Sequence, residues 1–317
     1  MKLLNKAKSL LSLVTADYRG VQIQTASYCN GRCSICPYPN SWHAEHPGVM
    51  DDGTFRRVVD QIKHFRIHKL CPYLENEPLA DPKFFERLKI LRDECNYHRL
   101  EVSTNGLLLN KRNAERLIEM LSGVGHEIWI SFHGVDRQTY EELMGMPFEK
   151  VYHNVIEFLT LCDKAPHPMR IVIRGAGEPS PTNSDKQYFT EAQYQDFWDR
   201  TLRTHGISVR PKISCFPYHN RAGNVTGQGL TPVRRTLSDL RSMKCLRIDK
   251  WVHVLYTGEL IICCMDYHKE SVFGDVSRQT LQEVFSSREC KTMRAMAKGE
   301  VESPEDFICR RCTWPGE

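Results

Sequence analysis

The 317-residue sequence contains no apolar run long enough to cross a bilayer, no block of five or six like charges and no internal repeat. Its 43 basic and 39 acidic residues nearly balance, and the formal net charge is +4. A charge this small does not indicate a nucleic-acid-binding surface. Residues 1–14 have apolar positions interrupted by Asn5, Lys6 and Lys8, so they lack the uninterrupted core of a signal peptide and predict a short amphipathic helix. We therefore expect a cytoplasmic protein without membrane or nucleic-acid partners.

Cysteine, in contrast, is abundant, with thirteen residues in the chain. In a long chain without a secretion signal, that number favours metal ligation over disulfides. Three cysteines lie near the start of the sequence and seven lie from Cys215 onward. Cys71, Cys95 and Cys162 stand alone in apolar stretches, and we interpret them as small buried core residues.

The first cysteine group has the spacing C-x3-C-x2-C, formed by Cys29, Cys33 and Cys36 after an apolar stretch. Three thiolates at this spacing can hold three irons of a [4Fe–4S] cluster and leave the fourth iron without a protein ligand. A cluster used only for electron transfer normally has a fourth cysteine. The open iron therefore indicates a site where a small molecule binds and reacts.

The main part of the chain alternates short β-rich runs with amphipathic helical segments. Six consecutive β-then-α units favour an α/β fold with a parallel sheet, curved as a partial (β/α)6 barrel. The predicted strands are residues 21–26, 70–75, 99–103, 127–132, 170–174 and 207–214. Thr190 with Gln193, and Thr280 with Glu283, have the spacing of capping boxes that begin helices.

The last part of the chain has a different pattern. Residues 251–256 and 259–264 predict a β-hairpin with its turn at Gly258, and a helix follows. We therefore predict three segments: a helical extension over residues 1–20, a barrel over 21–239, and a small hairpin-plus-helix iron–sulfur domain over 240–317.

Polar residues follow each predicted barrel strand at its carboxyl end, where parallel α/β sheets hold their functional residues. The cysteine group follows the first strand, and Cys215 follows the sixth. The strands between them are followed by Glu75–Glu77, Ser103–Gly106, Ser131–Gly134 and Arg174–Gly177. We expect these residues to meet in one functional site.

Four later cysteines form a second group: Cys245, Cys263, Cys309 and Cys312. One precedes the predicted hairpin, one lies on its return strand, and two form a distant C-x2-C pair. This arrangement can enclose a tetrahedral metal centre, and its spacing alone leaves structural zinc and an iron–sulfur cluster as alternatives. Cys290 is a weak candidate for an additional ligand.

The cysteine group, the Glu75-Asn76-Glu77-Pro78 stretch and the strand order together resemble the radical S-adenosylmethionine (SAM) superfamily over roughly residues 20–215. The resemblance implies that the open iron binds SAM, and that one-electron reduction yields a 5′-deoxyadenosyl radical that abstracts hydrogen from a substrate. It also implies an external one-electron reductant of the flavodoxin or ferredoxin type. The aromatic residue usual before the third cysteine is replaced here by Ile35, which affects how the adenine is held.

The resemblance assigns SAM contacts residue by residue. Glu77 aligns with the glutamate of the family's Gly-Gly-Glu-Pro stretch, with Asn76 in place of a glycine, and Ser131 corresponds to a serine near the fourth strand. Asn105 and Arg174, at the ends of the third and fifth strands, are expected to contact SAM as well. His133 stands where an aspartate is frequent and is a candidate catalytic residue; its alternative is a structural role.

The second cysteine group, with the hairpin and Asp266, resembles the "twitch" domain, a shortened SPASM domain, over residues 245–312. The resemblance implies an auxiliary [4Fe–4S] cluster on those four cysteines, and therefore two clusters in the chain. An auxiliary cluster with every iron ligated cannot bind SAM, but it can accept or relay an electron.

These features predict a radical SAM enzyme that dehydrogenates or epimerises a polar small molecule, of the sugar or aminocyclitol type. Epimerisation needs a hydrogen donor, for which Cys264 and Cys215 are the candidates. Two alternatives remain at this point: a radical SAM enzyme that modifies a ribosomally made peptide, and a non-enzymatic binding module stabilised by zinc.

Overall fold

The computed structural model describes residues 17–166, 169–178, 187–225 and 233–313. The amphipathic helix predicted over residues 1–14 lies outside these ranges. Residues 17–20, predicted as part of the helical extension, belong to the first strand. The strands are β1 (Asp17–Ile23), β2 (Arg66–Cys71), β3 (Tyr97–Thr104), β4 (His126–Ser131), β5 (Arg170–Gly175), β6 (Lys212–Cys215), β7 (Trp251–Val254), β8 (Glu259–Ile261) and β9 (Val272–Asp275).

Helices connect the strands of the barrel and follow the hairpin. In chain order they are α1 (Trp42–Glu45), α2 (Asp52–Ile62), α3 (Phe84–Glu94), α4 (Lys111–Leu121), α5 (Arg137–Met144), α6 (Phe148–Asp163), α7 (Glu191–Thr204), α8 (Leu237–Ser242), α9 (Arg247–Lys250), α10 (Leu281–Ser286) and α11 (Arg288–Ala297). Short 3-10 helices cover Tyr38–Asn40, Pro78–Ala80 and Ile308–Arg311. Within the described residues, none of these helices is long and apolar enough to span a membrane.

Local sequence signals set several helix starts. The Asp51 side chain accepts a hydrogen bond from the Thr54 amide at 2.9 Å and begins α2. Both predicted capping boxes are confirmed: Thr190 with Gln193 begins α7, and Thr280 with Glu283 begins α10.

All nine strands form one sheet in the order β6-β5-β4-β3-β2-β1-β7-β8-β9. Strands β1 to β6 are parallel to their neighbours, β7 is parallel to β1, and β8 and β9 are antiparallel. The predicted α/β partial barrel with a C-terminal hairpin is therefore confirmed. The hairpin does not form a separate sheet, because β7 pairs directly with β1.

The two faces of the barrel sheet differ in chemistry. The outer face carries fully buried aliphatic side chains that pack under the helices, among them Leu70, Val102, Ile128, Ile130 and Ile173. Since side chains alternate along a strand, their neighbours in sequence point inward. Those neighbours include Lys69, Glu101, Trp129 and Arg174, which line a cavity inside the barrel.

The β1–β7 junction depends on a residue without a side chain. Gly20 is the pairing partner of Trp251, and a Cβ at Gly20 would lie 2.1 Å from the Trp251 ring. We expect Gly20→Ala to lower the free energy of unfolding by roughly 1–3 kcal/mol, the usual cost of overpacking. Urea unfolding of the iron-loaded protein measures the change. Gly53→Ala, in the first turn of α2, is the matched control; an equal loss in both variants would contradict this role for the junction.

Candidate functional site

A cavity of about 480 Å³ opens at the carboxyl ends of the barrel strands. Its walls include Cys29 and Cys36, so the first cysteine group borders it directly. Of the other residues predicted to act at this site, the structure brings together Asn76, Ser131, His133, Arg174 and Cys264. These residues come from loops or strand ends far apart in sequence, as the parallel sheet predicts.

Local contacts order the cysteine loop. The Cys29 amide donates to the Tyr38 hydroxyl at 2.8 Å. Cys33 Sγ lies 3.8 Å from Met144 Sδ, and Cys36 Sγ lies 3.9 Å from the Tyr267 hydroxyl. A Cβ at Gly31 would lie 3.5 Å from Cys33 Sγ and 3.7 Å from Cys29 Sγ. The two sulfurs therefore flank the same point of the loop.

Burial and nearby negative charge raise the pKa values of Cys29 and Cys33. Burial, then the nearby Glu77, raises the pKa of Cys29 to about 12. Burial also raises the pKa of Cys33 well above its usual range, and the adjacent Cys36 and Cys29 add to the effect. A positively charged iron centre among the three sulfurs would remove this repulsion, so the donor set fits an iron–sulfur cluster.

The described residues contain no group of three or more His, Cys, Asp or Glu side chains that could hold a single metal ion. In an iron–sulfur cluster each thiolate binds a different iron, so its ligands do not converge on one point.

Glu77 lies behind the cavity wall rather than in it. Its carboxylate accepts hydrogen bonds from Thr104 Oγ1 at 2.8 Å and from the amides of Asn105 at 2.7 Å and Leu79 at 3.1 Å. Burial nevertheless raises its pKa to about 7. These bonds join the loop after β2 to the loop after β3.

Asn105 continues this connection to the cysteine loop. Its side-chain amide donates to Asn30 Oδ1 at 2.7 Å and lies 4.0 Å from Cys29 Sγ. Like Glu77, Asn105 is absent from the cavity walls. The geometry therefore favours positioning of the cysteine loop by both residues.

Charged and aromatic groups form the cavity floor. Lys69 Nζ is 2.6 Å from Glu101 Oε2, and the Glu101 side chain is only 3% exposed. The Lys69 ammonium lies 4.6 Å from the centroid of the Trp129 ring. The Arg174 guanidinium lies 4.2 Å from the same centroid and 4.4 Å from the centroid of the Phe216 ring. Such a surface suits a polar ligand with hydroxyl or charged groups.

His133 is a neutral polar group in this cavity. Burial, then Arg221 and Arg174, lowers its pKa to about 3. Its Nδ1 atom is buried without a hydrogen-bond partner in the described part of the chain. His133 can therefore contact a ligand through hydrogen bonds, but it is not an acid near neutral pH.

A second buried pair was not predicted from the sequence. His43 Nε2 is 2.6 Å from Glu75 Oε2, and both side chains are fully buried. Burial raises the pKa of Glu75 well above its usual range and lowers that of His43 to about 4, so both groups favour their neutral forms. Glu75 also lines the cavity.

The second cysteine group converges as well. Cys245, Cys263, Cys309 and Cys312 all line one small cavity of about 30 Å³, together with apolar side chains. Burial, then the neighbouring Cys312 and Cys245, raises the pKa of Cys309. These four donors fit a metal centre for the same electrostatic reason as the first group. Cys290 is absent from this cavity and is fully buried on α11.

The two cavities share walls. Arg247 and Met265 line both of them. Arg221 lines the large cavity and Ala222 the small one, and both have positive φ angles, of 48° and 56°. Backbone conformations of this kind are costly for residues with a side chain and often occur at functional sites.

The cysteines predicted as hydrogen donors are placed differently. Cys264 lines the large cavity and contacts the Arg247 guanidinium. A hydrogen bond with Cys263, opposed by burial and assisted by Arg247, lowers its pKa to about 6. Cys215 is absent from the cavity walls; it follows Ser214, the pairing partner of Arg174. Alternation along the strand therefore turns Cys215 to the outer face.

Cys71 is buried as predicted, but its surroundings are not apolar. It lines the large cavity, and its Sγ lies 3.9 Å from Glu101 Oε1. The alternation of Lys69, Cys71 and Tyr73 with Leu70 and Pro72 is the sequence signal that could have placed it inside the barrel.

Comparison with protein families agrees with this geometry. The radical SAM superfamily model matches residues 23–172, and the model of the SPASM iron–sulfur cluster-binding domain matches residues 245–313. The chain belongs to the radical SAM superfamily. More particularly, it is a radical SAM enzyme with a C-terminal SPASM domain, which favours an enzyme over the zinc-stabilised binding module.

Solved structures with a similar fold include the following three. BtrN in complex with AdoMet and 2-DOIA aligns over 93% of this chain and 93% of its own, with a TM-score of 0.56 and 16% identity. Streptococcus suis SuiB bound to precursor peptide SuiA aligns over 92% and 71%, with a TM-score of 0.56 and 12% identity. Native anSMEcpe with bound AdoMet aligns over 88% and 84%, with a TM-score of 0.53 and 15% identity.

At these identities the likeness establishes the fold alone. No curated protein matches the chain at a significant level.

The contacts of Asn105 should slow the loss of iron from the first cysteine group. Loss of an outer contact to a metal ligand typically weakens metal affinity by 10- to 100-fold. We expect Asn105→Ala to lose iron to a chelator roughly 10-fold faster than the unmodified protein, because the Cys29 loop loses its contact to the loop after β3. Absorbance of the iron–sulfur chromophore measures the rate. Asn96→Ala, at an exposed position, is the control; equal rates in the two variants would contradict the positioning role.

Proposed function

We propose that this radical SAM enzyme uses two [4Fe–4S] clusters and removes a hydrogen atom from a polar small molecule, of the sugar or aminocyclitol type, to dehydrogenate or epimerise it. The observation that carries the proposal is the shared wall of the two cavities, at Arg247 and Met265. A substrate in the large cavity is then adjacent to the four-cysteine site. We divide the chain into a barrel over residues 21–239 and an auxiliary domain over 240–317.

Cys29, Cys33 and Cys36 would hold the first cluster. With SAM at its open iron and one electron from a cytoplasmic flavodoxin or ferredoxin, this cluster would supply the radical chemistry that abstracts hydrogen from a substrate. Asn76, Ser131 and Arg174 line the cavity beside these cysteines and offer amide, hydroxyl and guanidinium groups to SAM. In this proposal Glu77 and Asn105 support the site from behind its wall.

The auxiliary cluster would be held by Cys245, Cys263, Cys309 and Cys312. It would accept or relay one electron. The mostly apolar surroundings of these cysteines exclude water from the centre. Arg247 lies at the boundary between the two cavities. Its positive charge stabilises the cysteine thiolates of the small cavity and also a negatively charged group in the large cavity.

The cavity floor supports a polar substrate. Lys69, Glu101 and Trp129 are arranged like a site for a hydroxylated ring, with charged groups beside an aromatic face. Polar groups that are buried without partners reject ligands that leave them unpaired, which gives such a site its specificity.

Epimerisation is kept beside dehydrogenation because thiols line the cavity. Dehydrogenation removes a second electron and a proton from the substrate radical, whereas epimerisation returns a hydrogen atom to it. Cys264 lies in the cavity wall and supports the second outcome, while Cys215 on the outer face does not.

Iron analysis and SAM cleavage test the assignment of both sites. We expect the triple variant of Cys29, Cys33 and Cys36 to alanine to lose SAM cleavage under dithionite, because no open iron remains. The double variant of Cys309 and Cys312 to alanine should lose about half of the iron yet retain some cleavage.

Cys162→Ala is the control, because this thiol is buried in the apolar core away from both cavities. Retained SAM cleavage in the triple variant would refute the first assignment. Unchanged iron in the double variant would refute the second.

A further inference from the structure

Cys71 is a thiol held inside the reaction cavity. It is the last residue of β2 and is 1% exposed. Its pairing partner on β1 is Gln22, and both residues line the large cavity, as do Cys29 and Cys36. No connecting loop carries Cys71, so the rigid sheet fixes its position relative to the cavity.

A carboxylate holds this thiol in place. Cys71 Sγ lies 3.9 Å from Glu101 Oε1, the Tyr73 hydroxyl donates to the same oxygen, and Lys69 Nζ pairs with Oε2 at 2.6 Å. Burial, then the negative charge of Glu101, raises the pKa of Cys71 well above its usual range. The sulfur therefore keeps its proton, and a hydrogen-atom donor needs an intact S–H bond.

Two other observations indicate that a ligand occupies this space. His133 Nδ1 and Glu75 Oε1 are buried without hydrogen-bond partners in the described part of the chain, and both residues line the cavity. His133 is only 8% exposed, and Glu75 only 4%. Burial of a polar atom without a hydrogen-bond partner costs free energy. These two atoms therefore indicate that a polar ligand binds in the same cavity as Cys71.

The other candidate thiols are less suitable in geometry. Cys264 packs against the Arg247 guanidinium and is next in sequence to Cys263, a proposed ligand of the auxiliary cluster. Cys215 turns away from the cavity. Cys71 lies in the wall with a hydrogen-bond acceptor, Glu101 Oε1, at its sulfur.

We propose that Cys71 is the hydrogen-atom donor to a carbon-centred substrate radical in this cavity, a step that rests on the proposed function and selects its epimerisation outcome. The S–H bond breaks and a C–H bond forms, which leaves a thiyl radical on Cys71. One electron from the external one-electron reductant and one proton from solvent restore the thiol. The net reaction on the substrate is redox-neutral.

An isotope experiment tests the donor without knowledge of the substrate. The reconstituted protein is incubated in D₂O with SAM and dithionite alone, so that the thiol carries deuterium. Mass spectrometry then gives the fraction of the 5′-deoxyadenosine molecules that carry deuterium. This fraction does not depend on how much 5′-deoxyadenosine is formed. We expect labelled product from the unmodified protein and about a tenfold lower labelled fraction from Cys71→Ser and Cys71→Ala, because hydrogen transfer requires contact.

Three variants make the result specific. Cys215→Ser should keep the full labelled fraction, since this thiol faces outward. Cys71→Ser is close in size to the native residue, and its iron content and SAM affinity should match the unmodified protein. Loss of label in Cys264→Ser but not in Cys71→Ser would assign donation to Cys264 and overturn the proposal.

The outcomes separate the two levels of inference. If the unmodified protein forms no 5′-deoxyadenosine, both the proposed function and the Cys71 proposal are refuted. If 5′-deoxyadenosine forms but carries no deuterium, or carries the same fraction in Cys71→Ala, only the role of Cys71 is refuted.

Discussion

The parallel pairing of β1 with β7 is the constraint on which the rest of the structure depends. It makes the C-terminal hairpin a continuation of the barrel sheet. Because Cys29 follows β1 and Cys263 follows β8, this pairing brings two cysteine groups from opposite ends of the chain beside one another. The shared cavity wall at Arg247 and Met265 follows from it. The closeness of the proposed electron acceptor to the proposed reaction cavity is therefore a consequence of sheet topology.

The inner face of the sheet sets the chemistry of the cavity. A barrel filled by aliphatic residues would be a packed core, whereas here Lys69, Glu101, Trp129 and Arg174 face inward and leave a polar cavity. Ion pairing of Lys69 with Glu101 reduces the cost of burying both charges. Among the described residues, His133 Nδ1 and Glu75 Oε1 are two cavity atoms at which a ligand would complete the hydrogen bonding.

Much of this arrangement could be predicted from the sequence. Strand order, capping boxes and the two cysteine groups follow from local patterns, and the loops at the carboxyl ends of parallel strands meet by topology. Two strand bounds do not follow: the sequence pattern predicts strands over 70–75 and 207–214, whereas β2 covers Arg66–Cys71 and β6 covers Lys212–Cys215. Side-chain direction at strand ends was harder to predict. The apolar neighbours of Cys71 in sequence predict a core residue, although alternation turns it toward Glu101 across the sheet. Glu77 was expected to face the ligand, but three hydrogen-bond donors hold it behind the wall.

The central claim is that the three-cysteine cluster has an open iron that binds SAM. The most direct test is electron paramagnetic resonance of the reduced, anaerobically reconstituted Cys309→Ala, Cys312→Ala double variant, in which only the first cluster should contribute a signal. Addition of SAM should change that signal, because a new ligand joins one iron. An identical spectrum with and without SAM would contradict the account.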